Sequence, residues 1–374
     1  PEPYTMPKAL KPAGYTTYGV GKFWSGFAHR GFDDYIQKSN MLIARRTMEP
    51  IFDYIDGHLD KPFFAWYAPR LPHVPLNAPQ KYRDLYPNEE KEAQGYYANI
   101  SWFDEKLGEL VAHLEKRKIR DRTLILYVSD NGYFLPKSKS VFGENGYRTV
   151  LFANFPGVIP PGLRYEDKLT HTIDILPTFL DYAGLPARKE LEGRSLRPLL
   201  EGKKETPWRK YLFGQDTRGS SRRSPASNRY AVNPDRMKLY TERNQLFDLK
   251  SDPNEDKNLI ADPNYKALVD ELRRAVEGWT RREDDGAAPP PENPQEESEE
   301  ESRAWNERLQ RLDLELRTLQ AKAPDEPERD RIQAYRDIAY DTWGCAVRDL
   351  GDIRESIRLS MEDNGFGLHN LPKP

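Results

Sequence analysis

The sequence has little of three features that would assign it to a specialised class of protein. Cys345 is the one cysteine among 374 residues, so an intrachain disulfide and a cysteine-based zinc cluster are both excluded. No apolar run approaches the roughly 20 residues that a transmembrane helix needs, so we expect no membrane span. The formal net charge is −3, so no general basic field attracts nucleic acid. The length suits one large domain or two medium ones.

What the sequence does contain is an alternation of strand-like and helix-like segments over residues 1–212. Apolar runs that end at Gly, Pro or Asn predict strands, and amphipathic stretches between them predict helices. The predicted strands are residues 16–20, 63–68, 123–128 and 149–154; the predicted helices are residues 45–58, 92–116 and 172–182, with Gly184 placed to end the last one. This alternation predicts an α/β fold with a mainly parallel sheet flanked by helices.

The clearest of these helices covers residues 92–116. Apolar residues recur there at intervals of three and four, at Tyr96, Ile100, Phe103, Leu107, Leu110 and Leu114. This spacing predicts a single stripe that faces the core of the protein.

Residues 213–283 have a different character, because short strand-like runs follow one another with turns between them. They predict a small antiparallel sheet closed by a helix over residues 263–279. Residues 284–302 are rich in Pro and Glu without a basic residue, so we expect a solvated linker. We therefore divide the chain into a catalytic domain at 1–212, an α+β subdomain at 213–283, this linker, and a helical extension at 303–374.

The helical extension carries a regular apolar seam. Its members are Trp305, Leu309, Leu312, Leu316 and Leu319, at a spacing of four, three, four and three residues. This spacing is typical of a coiled-coil-like helix. The extension could form a helical hairpin that packs on itself or on the main domain, or it could serve self-association through the C-terminal helices.

The segment 123–132 suggests a cation site. Its apolar run stops abruptly at Asp130, Asn131 and Gly132, and open α/β sheets bind ligands at the carboxyl ends of their strands. An adjacent carboxylate and carboxamide offer oxygen ligands for a hard cation such as Ca²⁺ or Mg²⁺. The same three residue types are also common in turns, so the segment alone fits either a cation site or an ordinary turn.

Further polar side chains follow other predicted strands. Lys22 follows the strand at 16–20, His73 follows the strand at 63–68, and Lys139 lies in the loop after Asn131. If the strands are parallel, these groups meet Asp130 at one edge of the sheet, where they would suit a sulfate or phosphate ester. Each has a structural alternative, since Lys22 and Lys139 could be surface lysines and His73 a rigid loop residue.

Several segments, taken in order, resemble the sulfatases of the alkaline-phosphatase superfamily. They are Gly14-Tyr-Thr-Thr-Tyr-Gly-Val-Gly-Lys-Phe23, Gly31-Phe-Asp-Asp-Tyr35, Pro62-Phe-Phe with Pro72-His-Val-Pro75, Ser129-Asp-Asn-Gly132, Lys139 with Glu144-Asn-Gly-Tyr-Arg148, Asp174-Ile-Leu-Pro-Thr178, and Gln245-Leu-Phe-Asp-Leu with Asp252-Pro-Asn-Glu255. The resemblance covers about residues 8–283. Any one segment is a weak signal, but their common order is specific.

The resemblance implies an alkaline-phosphatase-like fold and cleavage of a sulfate ester at a divalent cation, usually Ca²⁺, with Mg²⁺ as the alternative. Asp130 and Asn131 would then be metal ligands. Lys22 and Lys139 would hold the sulfate and the nucleophile, and His73 would contact the sulfate or the leaving oxygen and transfer a proton to it. The substrate would be a small sulfate ester or a sulfated glycan.

The sequence departs from the family pattern at the nucleophile. The family uses a formylglycine made from a Cys-x-Pro-x-Arg motif, which is absent from these residues; Cys345 lies far from the matching segments. Trp24 also stands where many sulfatases have a histidine. The chain begins at Pro1 within a structured segment, so we expect an N-terminal truncation that removed the nucleophile and the remaining acidic ligands, and an inactive chain.

Two other functions stay open at this point. One is a phosphodiesterase or phosphonate hydrolase of the same superfamily. The other is a non-catalytic pseudoenzyme or an anion- or glycan-binding module.

Overall fold

The computed structural model describes residues 4–22, 30–36, 45, 47–73, 75–132, 142–203, 208–216 and 228–284, with a few positions between 311 and 322. The chain divides into two compact units, Pro1–Arg120 with Asn293–Pro374, and Asp121–Glu292. The predictions for Trp24, Lys139, Cys345, almost all of the linker and most of the helical extension fall outside the described residues. Within the predicted seam, Leu316 is described and is buried.

The first unit is built around a three-stranded parallel sheet. Its elements are α1 (Met6–Leu10), β1 (Thr16–Gly21), β2 (Asp34–Ile36), α2 (Glu49–Asp56), β3 (Phe63–Ala68), α3 (Gln80–Arg83) and α4 (Lys91–Lys116). Strand β1 lies in the centre and pairs in parallel with β2 and with β3. Helix α2 begins at Glu49, with Pro50 in its first turn, and not at Arg45 as the sequence predicted. Its Tyr54 ring stacks on Tyr18 of β1, with the centroids 4.3 Å apart.

The apolar stripe predicted for α4 is only partly correct. Leu114 is buried, but Ile100 is 40 % exposed. The most buried positions toward the start of the helix are Gly95, Ala98 and Asn99. A Cβ atom added to Gly95 would lie 2.9 Å from the Cβ of Leu76, so small residues allow the loop after β3 to approach the helix closely. A search for large apolar side chains cannot detect a face of this kind.

The second unit contains an antiparallel pair of strands where the sequence predicted parallel ones. Its first elements are β4 (Ile125–Val128), α5 (Glu144–Tyr147), β5 (Leu151–Asn154), α6 (Ile175–Tyr182) and α7 (Arg197–Leu200). Strands β4 and β5 pair antiparallel, with Val128 opposite Leu151. Parallel neighbours need a long crossover, usually a helix, whereas the one described helix between these strands is the single turn α5. The direction of pairing is not encoded in the apolar runs themselves.

A four-stranded antiparallel sheet completes the second unit, as the sequence predicted. Strands β6 (Leu212–Asp216), β7 (Asn228–Val232), β8 (Met237–Tyr240) and β9 (Gln245–Asp248) pair in order, and α8 (Lys266–Asp284) follows. One face of the sheet packs on α8 through Leu239, Leu246 and Leu272. The other face, which carries Tyr230 and Tyr240, packs on Phe142. Both faces are therefore covered, so even a charged residue in β8 can be buried.

These elements confirm the α/β class with a parallel sheet, flanking helices and a small antiparallel sheet. Among the described helices, none has both the length and the apolar character that a membrane span requires.

Candidate functional site

Lys22 lies at the carboxyl end of β1, where the chain is fixed against β3. The Lys22 N–H donates to the carbonyl oxygen of Ala68 over 2.7 Å. The preceding Gly21 has a φ of +99°, and a Cβ added to it would lie 2.0 Å from that same oxygen. Only glycine fits such a close approach with a positive φ. The sequence Gly21-Lys22 therefore places the lysine directly beside the end of the neighbouring strand.

His73 lies in the loop that follows β3, which we call the His73 loop (residues 69–75). The His73 N–H donates to the carbonyl oxygen of Arg70 over 2.7 Å, and the Leu71–Pro72 peptide bond is cis. Because β1 and β3 are parallel neighbours with Gly21 opposite Ala68, Lys22 and the His73 loop leave the sheet at the same edge. This is the arrangement that the sequence predicted for these two residues.

Two polar side chains from distant parts of the sequence hold the His73 loop. Nδ2 of Asn99 in α4 lies 3.1 Å from each of the carbonyl oxygens of Pro72, His73 and Pro75. Nη2 of Arg45 donates to the His73 oxygen over 2.7 Å and to the Pro75 oxygen over 3.1 Å. The carbonyl of His73 thus accepts from both groups, and its backbone position is fixed from two sides.

The surroundings of the His73 loop are rich in guanidinium groups. Arg70 in the loop is buried, with 4 % of its surface exposed. Burial, and secondarily the positive charge of Arg70, lowers the pKa of Arg45 to about 9. Arg45 nevertheless remains charged at neutral pH, since this pKa lies well above 7. Two guanidinium cations and Lys22 therefore belong to one edge of the sheet, an arrangement that favours anions over cations.

Asp130 and Asn131 form a hydrogen-bonded turn, Ser129–Gly132, at the carboxyl end of β4. The Ser129 N–H donates to the Val150 oxygen over 3.0 Å, and its Oγ donates to the Asn131 oxygen over 3.0 Å. The Gly132 N–H donates to the Gly146 oxygen over 3.0 Å. The turn is therefore tied to β5 on one side and to α5 on the other.

The donor atoms of this turn fit a hard cation in type. Nδ2 of Asn131 donates to the Gly132 oxygen over 2.8 Å, so the side-chain oxygen Oδ1 is left as the atom that can bind a cation. The Asp130 carboxylate is exposed, and its charge adds to burial in raising the pKa of Tyr127. Ca²⁺ takes six to eight oxygen ligands. No group of three or more His, Cys, Asp or Glu that could hold a metal occurs among the described residues, so these two residues supply only part of a metal site.

The candidate residues therefore form two described groups. Lys22 and His73 belong to the first unit, and Asp130 and Asn131 belong to the second. Lys139 is outside the described residues. The roles of all five in binding or catalysis stay predictions.

Sequence reasoning missed the residues that support these groups. Arg45 was assigned to a helix, and Asn99 lies among larger apolar residues of α4. The one signal for Asn99 was a lone amide on a core-facing stretch, since a buried amide requires several hydrogen bonds.

The motif that contains Asp174 is structural in this protein. Asp174 is fully buried, and its carboxylate pairs with the guanidinium of Arg209. It also accepts from the N–H groups of His171, over 2.8 Å, and Arg194, over 2.9 Å. Both of its oxygens are occupied by these donors, so Asp174 holds the loops at the start of α6 and has no free position for a ligand.

Comparison with known proteins places the chain in a family. The Sulfatase family profile matches residues 1–185, and the profile described as N-sulphoglucosamine sulphohydrolase, C-terminal, matches residues 131–282. An arylsulfatase of Clostridium perfringens is 29 % identical over 258 residues, covering 57 % of this chain and 52 % of that protein. An N-acetylglucosamine-6-O-sulfatase of Bacteroides thetaiotaomicron is 31 % identical over 193 residues, covering 49 % of this chain and 34 % of that protein. The chain thus spans about half, or less, of the length of these relatives.

Solved structures share the fold. BT4656 in complex with its substrate D-glucosamine-2-N,6-O-disulfate superposes with a TM-score of 0.62 at 20 % identity, covering 79 % of this chain and 84 % of that one. The phosphonate monoester hydrolase of Silicibacter pomeroyi gives a TM-score of 0.56 at 18 % identity, covering 74 % and 79 %. At this level of identity the structures establish the fold alone. Together with the two family profiles and the sulfatase relatives, they confirm the resemblance drawn from the motifs: the chain belongs to the sulfatase family.

Proposed function

We propose that the protein to which this chain belongs hydrolyses a sulfate ester with the help of a divalent cation. The observation that carries the proposal is the position of Lys22 and His73. They follow two neighbouring parallel strands at the same sheet edge, inside the segment matched by the Sulfatase profile. An ammonium group and an imidazole at this position suit a singly charged sulfate oxyanion and the oxygen that leaves it.

Each residue has a role that follows from its chemistry. The Lys22 ammonium binds sulfate oxygens as a point charge. His73, whose backbone is fixed by Asn99 and Arg45, would give a proton to the alcohol oxygen as the bond from that oxygen to sulfur breaks and the oxygen of the nucleophile bonds to sulfur. Overall the reaction consumes one water and yields an alcohol and sulfate. Lys139 would supply a second cation. Asp130 and Asn131 would hold the divalent cation, Ca²⁺ in this proposal, which would neutralise charge on the sulfate.

We further propose that this chain by itself does not turn over a sulfate ester. The family nucleophile is a formylglycine, and the 374 residues contain no Cys-x-Pro-x-Arg motif from which it is made. Trp24 cannot act as the base that histidine supplies at that position in many relatives. The chain would therefore bind a sulfate ester without cleaving it.

The substrate class we propose is a sulfated sugar or another small sulfate ester. Curated relatives named for arylsulfatase and N-acetylglucosamine-6-O-sulfatase activity support sulfate rather than phosphate or phosphonate as the group cleaved. A phosphonate hydrolase shares only the fold at 18 % identity, which gives the alternative reaction weaker support.

Binding of 4-nitrophenyl sulfate in the presence of Ca²⁺, measured by calorimetry, tests the proposal. We expect His73→Gln to weaken binding about tenfold, the equivalent of one lost hydrogen bond to a charged group. His58→Gln, which changes a histidine that instead bonds to the Tyr54 carbonyl, should leave binding unchanged. No nitrophenol should be released. Tighter binding of 4-nitrophenyl phosphate than of the sulfate would contradict the proposed substrate class.

A further inference from the structure

A lysine is buried in the antiparallel sheet of the second unit. Lys238 lies in β8, and its side chain is 1 % exposed. Its Nζ lies 3.1 Å from Oε2 of Glu144 and 3.1 Å from Oε1 of Glu255. The same Nζ lies 4.6 Å and 4.9 Å from the ring centroids of Tyr230 and Tyr240. A buried ammonium group persists only where partners of this kind replace its water.

The partners of Lys238 complete a balanced cluster of two cations and two carboxylates, which we call the charged cluster (Glu144, Arg236, Lys238 and Glu255). Nη2 of Arg236 donates to Oε1 of Glu144 over 3.0 Å. The hydroxyl of Tyr240 donates to Oε1 of Glu255 over 2.6 Å. Because lysine, arginine and tyrosine donors already occupy the carboxylate oxygens, the two glutamates do not form a second cation site.

The charged cluster is connected to the turn that carries Asp130 and Asn131. Glu144 begins α5, and its N–H donates to Oε2 of Glu255 over 2.9 Å. Two residues later, the Gly146 carbonyl accepts from the N–H of Gly132, which directly follows Asn131. A continuous path of hydrogen bonds therefore runs from β8, through Glu144 and α5, to the turn.

The C-terminal sheet (β6–β9) also contacts the residues around the start of α5 at a second point. Nη1 of Arg243, in the turn between β8 and β9, donates to the carbonyl oxygen of Phe142 over 3.2 Å. The Phe142 ring is buried against Tyr230 and Tyr240. The residues that precede and begin α5 are thus fixed to the C-terminal sheet by charge, hydrogen bonding and packing together.

We propose that the charged cluster positions the Ser129–Gly132 turn, so that Lys238, Arg236 and Glu255 are positioning residues for Asp130 and Asn131. This inference rests on the proposed function in one respect, namely that the turn binds a divalent cation. It gives the C-terminal sheet a role beyond stability, because Arg236 and Lys238 set the geometry of two ligands that lie more than a hundred residues earlier in the sequence.

Amide hydrogen exchange of the metal-free protein, followed by NMR, tests the positioning directly. Lys238→Met removes the charge and keeps most of the length of the side chain. We expect exchange at Gly132 to accelerate about tenfold, while exchange within β4 stays unchanged, because only the local opening of the turn becomes easier. The matched control is Lys250→Met, which changes a lysine that is 60 % exposed and 3.7 Å from Asp235. Equal exchange at Gly132 in the two variants would overturn the proposal, as would uniform acceleration throughout the unit.

A charge-balanced double variant separates charge from packing. Glu144→Gln added to Lys238→Met leaves one cation and one carboxylate, so we expect exchange at Gly132 to return toward the wild-type rate. Faster exchange in the double variant than in Lys238→Met would contradict positioning by charge. If Lys238→Met fails to fold, Arg236→Gln removes one donor to Glu144 at a partly exposed residue, and exchange at Gly132 should still accelerate; an unchanged rate there would overturn the proposal.

A Ca²⁺ titration of the same variants distinguishes this inference from the proposed function. If Asp130→Ala leaves the Ca²⁺-induced shift of the Gly132 amide signal unchanged, the proposed metal role is wrong, and the exchange data alone decide on the positioning. If Asp130→Ala abolishes the shift, Lys238→Met should weaken Ca²⁺ binding about tenfold. Unaltered binding in Lys238→Met would then refute the positioning while leaving the proposed function intact.

Discussion

The side-chain amide of Asn99 lies 3.1 Å from the carbonyl oxygen of His73, across 26 residues of sequence. The same Nδ2 lies 3.1 Å from the carbonyl oxygens of Pro72 and Pro75. One fully buried amide in α4 thus donates to three carbonyl groups of the His73 loop. The backbone position of His73 depends on these hydrogen bonds.

Asn99→Ala should destabilise the protein, because the carbonyl groups of Pro72, His73 and Pro75 lose a shared donor, and Arg45 donates only to the last two. Leaving buried polar groups unsatisfied costs about 1–3 kcal/mol. Asn99→Asp should cost more than Asn99→Ala at neutral pH, since the new carboxylate cannot donate and faces carbonyl oxygens. Urea unfolding measures the effect, and Asn88→Ala, at an exposed asparagine, is the control. Equal stability of Asn99→Asp and wild type would contradict the hydrogen-bonding role.

Gly21→Ala should be far more damaging than Gly14→Ala. Both glycines have a positive φ, of +99° and +79°, so alanine costs about 1–2 kcal/mol at either position. Only at Gly21 would the new methyl group also collide with the Ala68 carbonyl oxygen, whereas nothing lies within 4 Å of the corresponding position at Gly14. The difference between the urea unfolding midpoints of the two variants measures the cost of this collision. Similar midpoints would mean that the close approach of β1 and β3 is not tight.

Asp174→Asn should destabilise the protein without affecting Ca²⁺ binding. Arg209, which is 10 % exposed, would lose its charged partner, and breaking a buried ion pair costs about 3–5 kcal/mol. Asp167→Asn is the control, because its carboxylate is 68 % exposed and its pair with Lys168 contributes little. Thermal unfolding reports the stability and an NMR titration reports the Ca²⁺ affinity. A large loss of Ca²⁺ affinity in Asp174→Asn would contradict the structural role.

The stability of the protein should fall as the pH drops below about 6.5 through His171, whose ordinary pKa is about 6.5. Nδ1 of His171 accepts from the Ile173 N–H over 3.2 Å, so the folded state needs the neutral ring. Burial is the largest cause that lowers the pKa of His171, and Arg209 adds to it while Asp174 and Glu192 oppose it. Below pH 6.5 the unfolded chain therefore takes up a proton that the folded chain does not, and folding loses stability until the pH passes the folded pKa.

His171→Asn is the variant that checks this prediction. Asparagine can still cap the helix start, but it does not titrate. The urea midpoint of the variant should change less than that of the wild type over this pH range. Parallel pH profiles for the two proteins would show that another group causes the loss.

The sequence predicted those parts of the fold that depend on local patterns. Strand β3 was placed with its correct ends, because a run of apolar residues stops at Pro62 and Pro69. Gly184 was correctly assigned to the end of α6, where its φ is +70°. The antiparallel sheet β6–β9 followed from short strands separated by turns.

The parts that could not be predicted depend on contacts between distant residues. Neither apolar run indicates that β4 pairs antiparallel with β5. In β8, Lys238 alternates with apolar neighbours and is typical of a residue that faces solvent, yet Phe142 and Glu144 cover that face. The candidate residues Lys22 and His73 were found from local motifs, whereas Arg45 and Asn99, which hold the His73 loop, act over 24 to 30 residues of sequence.

Titration with inorganic sulfate tests directly whether Lys22 and His73, which follow neighbouring parallel strands, bind a sulfate group. Lys22→Ala should weaken sulfate binding about tenfold, while Lys61→Ala, at an exposed lysine before the opposite end of β3, should leave it unchanged. Equal loss of affinity in the two variants would mean that general positive charge attracts the anion. Unchanged binding in Lys22→Ala would contradict the proposed sulfate-binding role of Lys22.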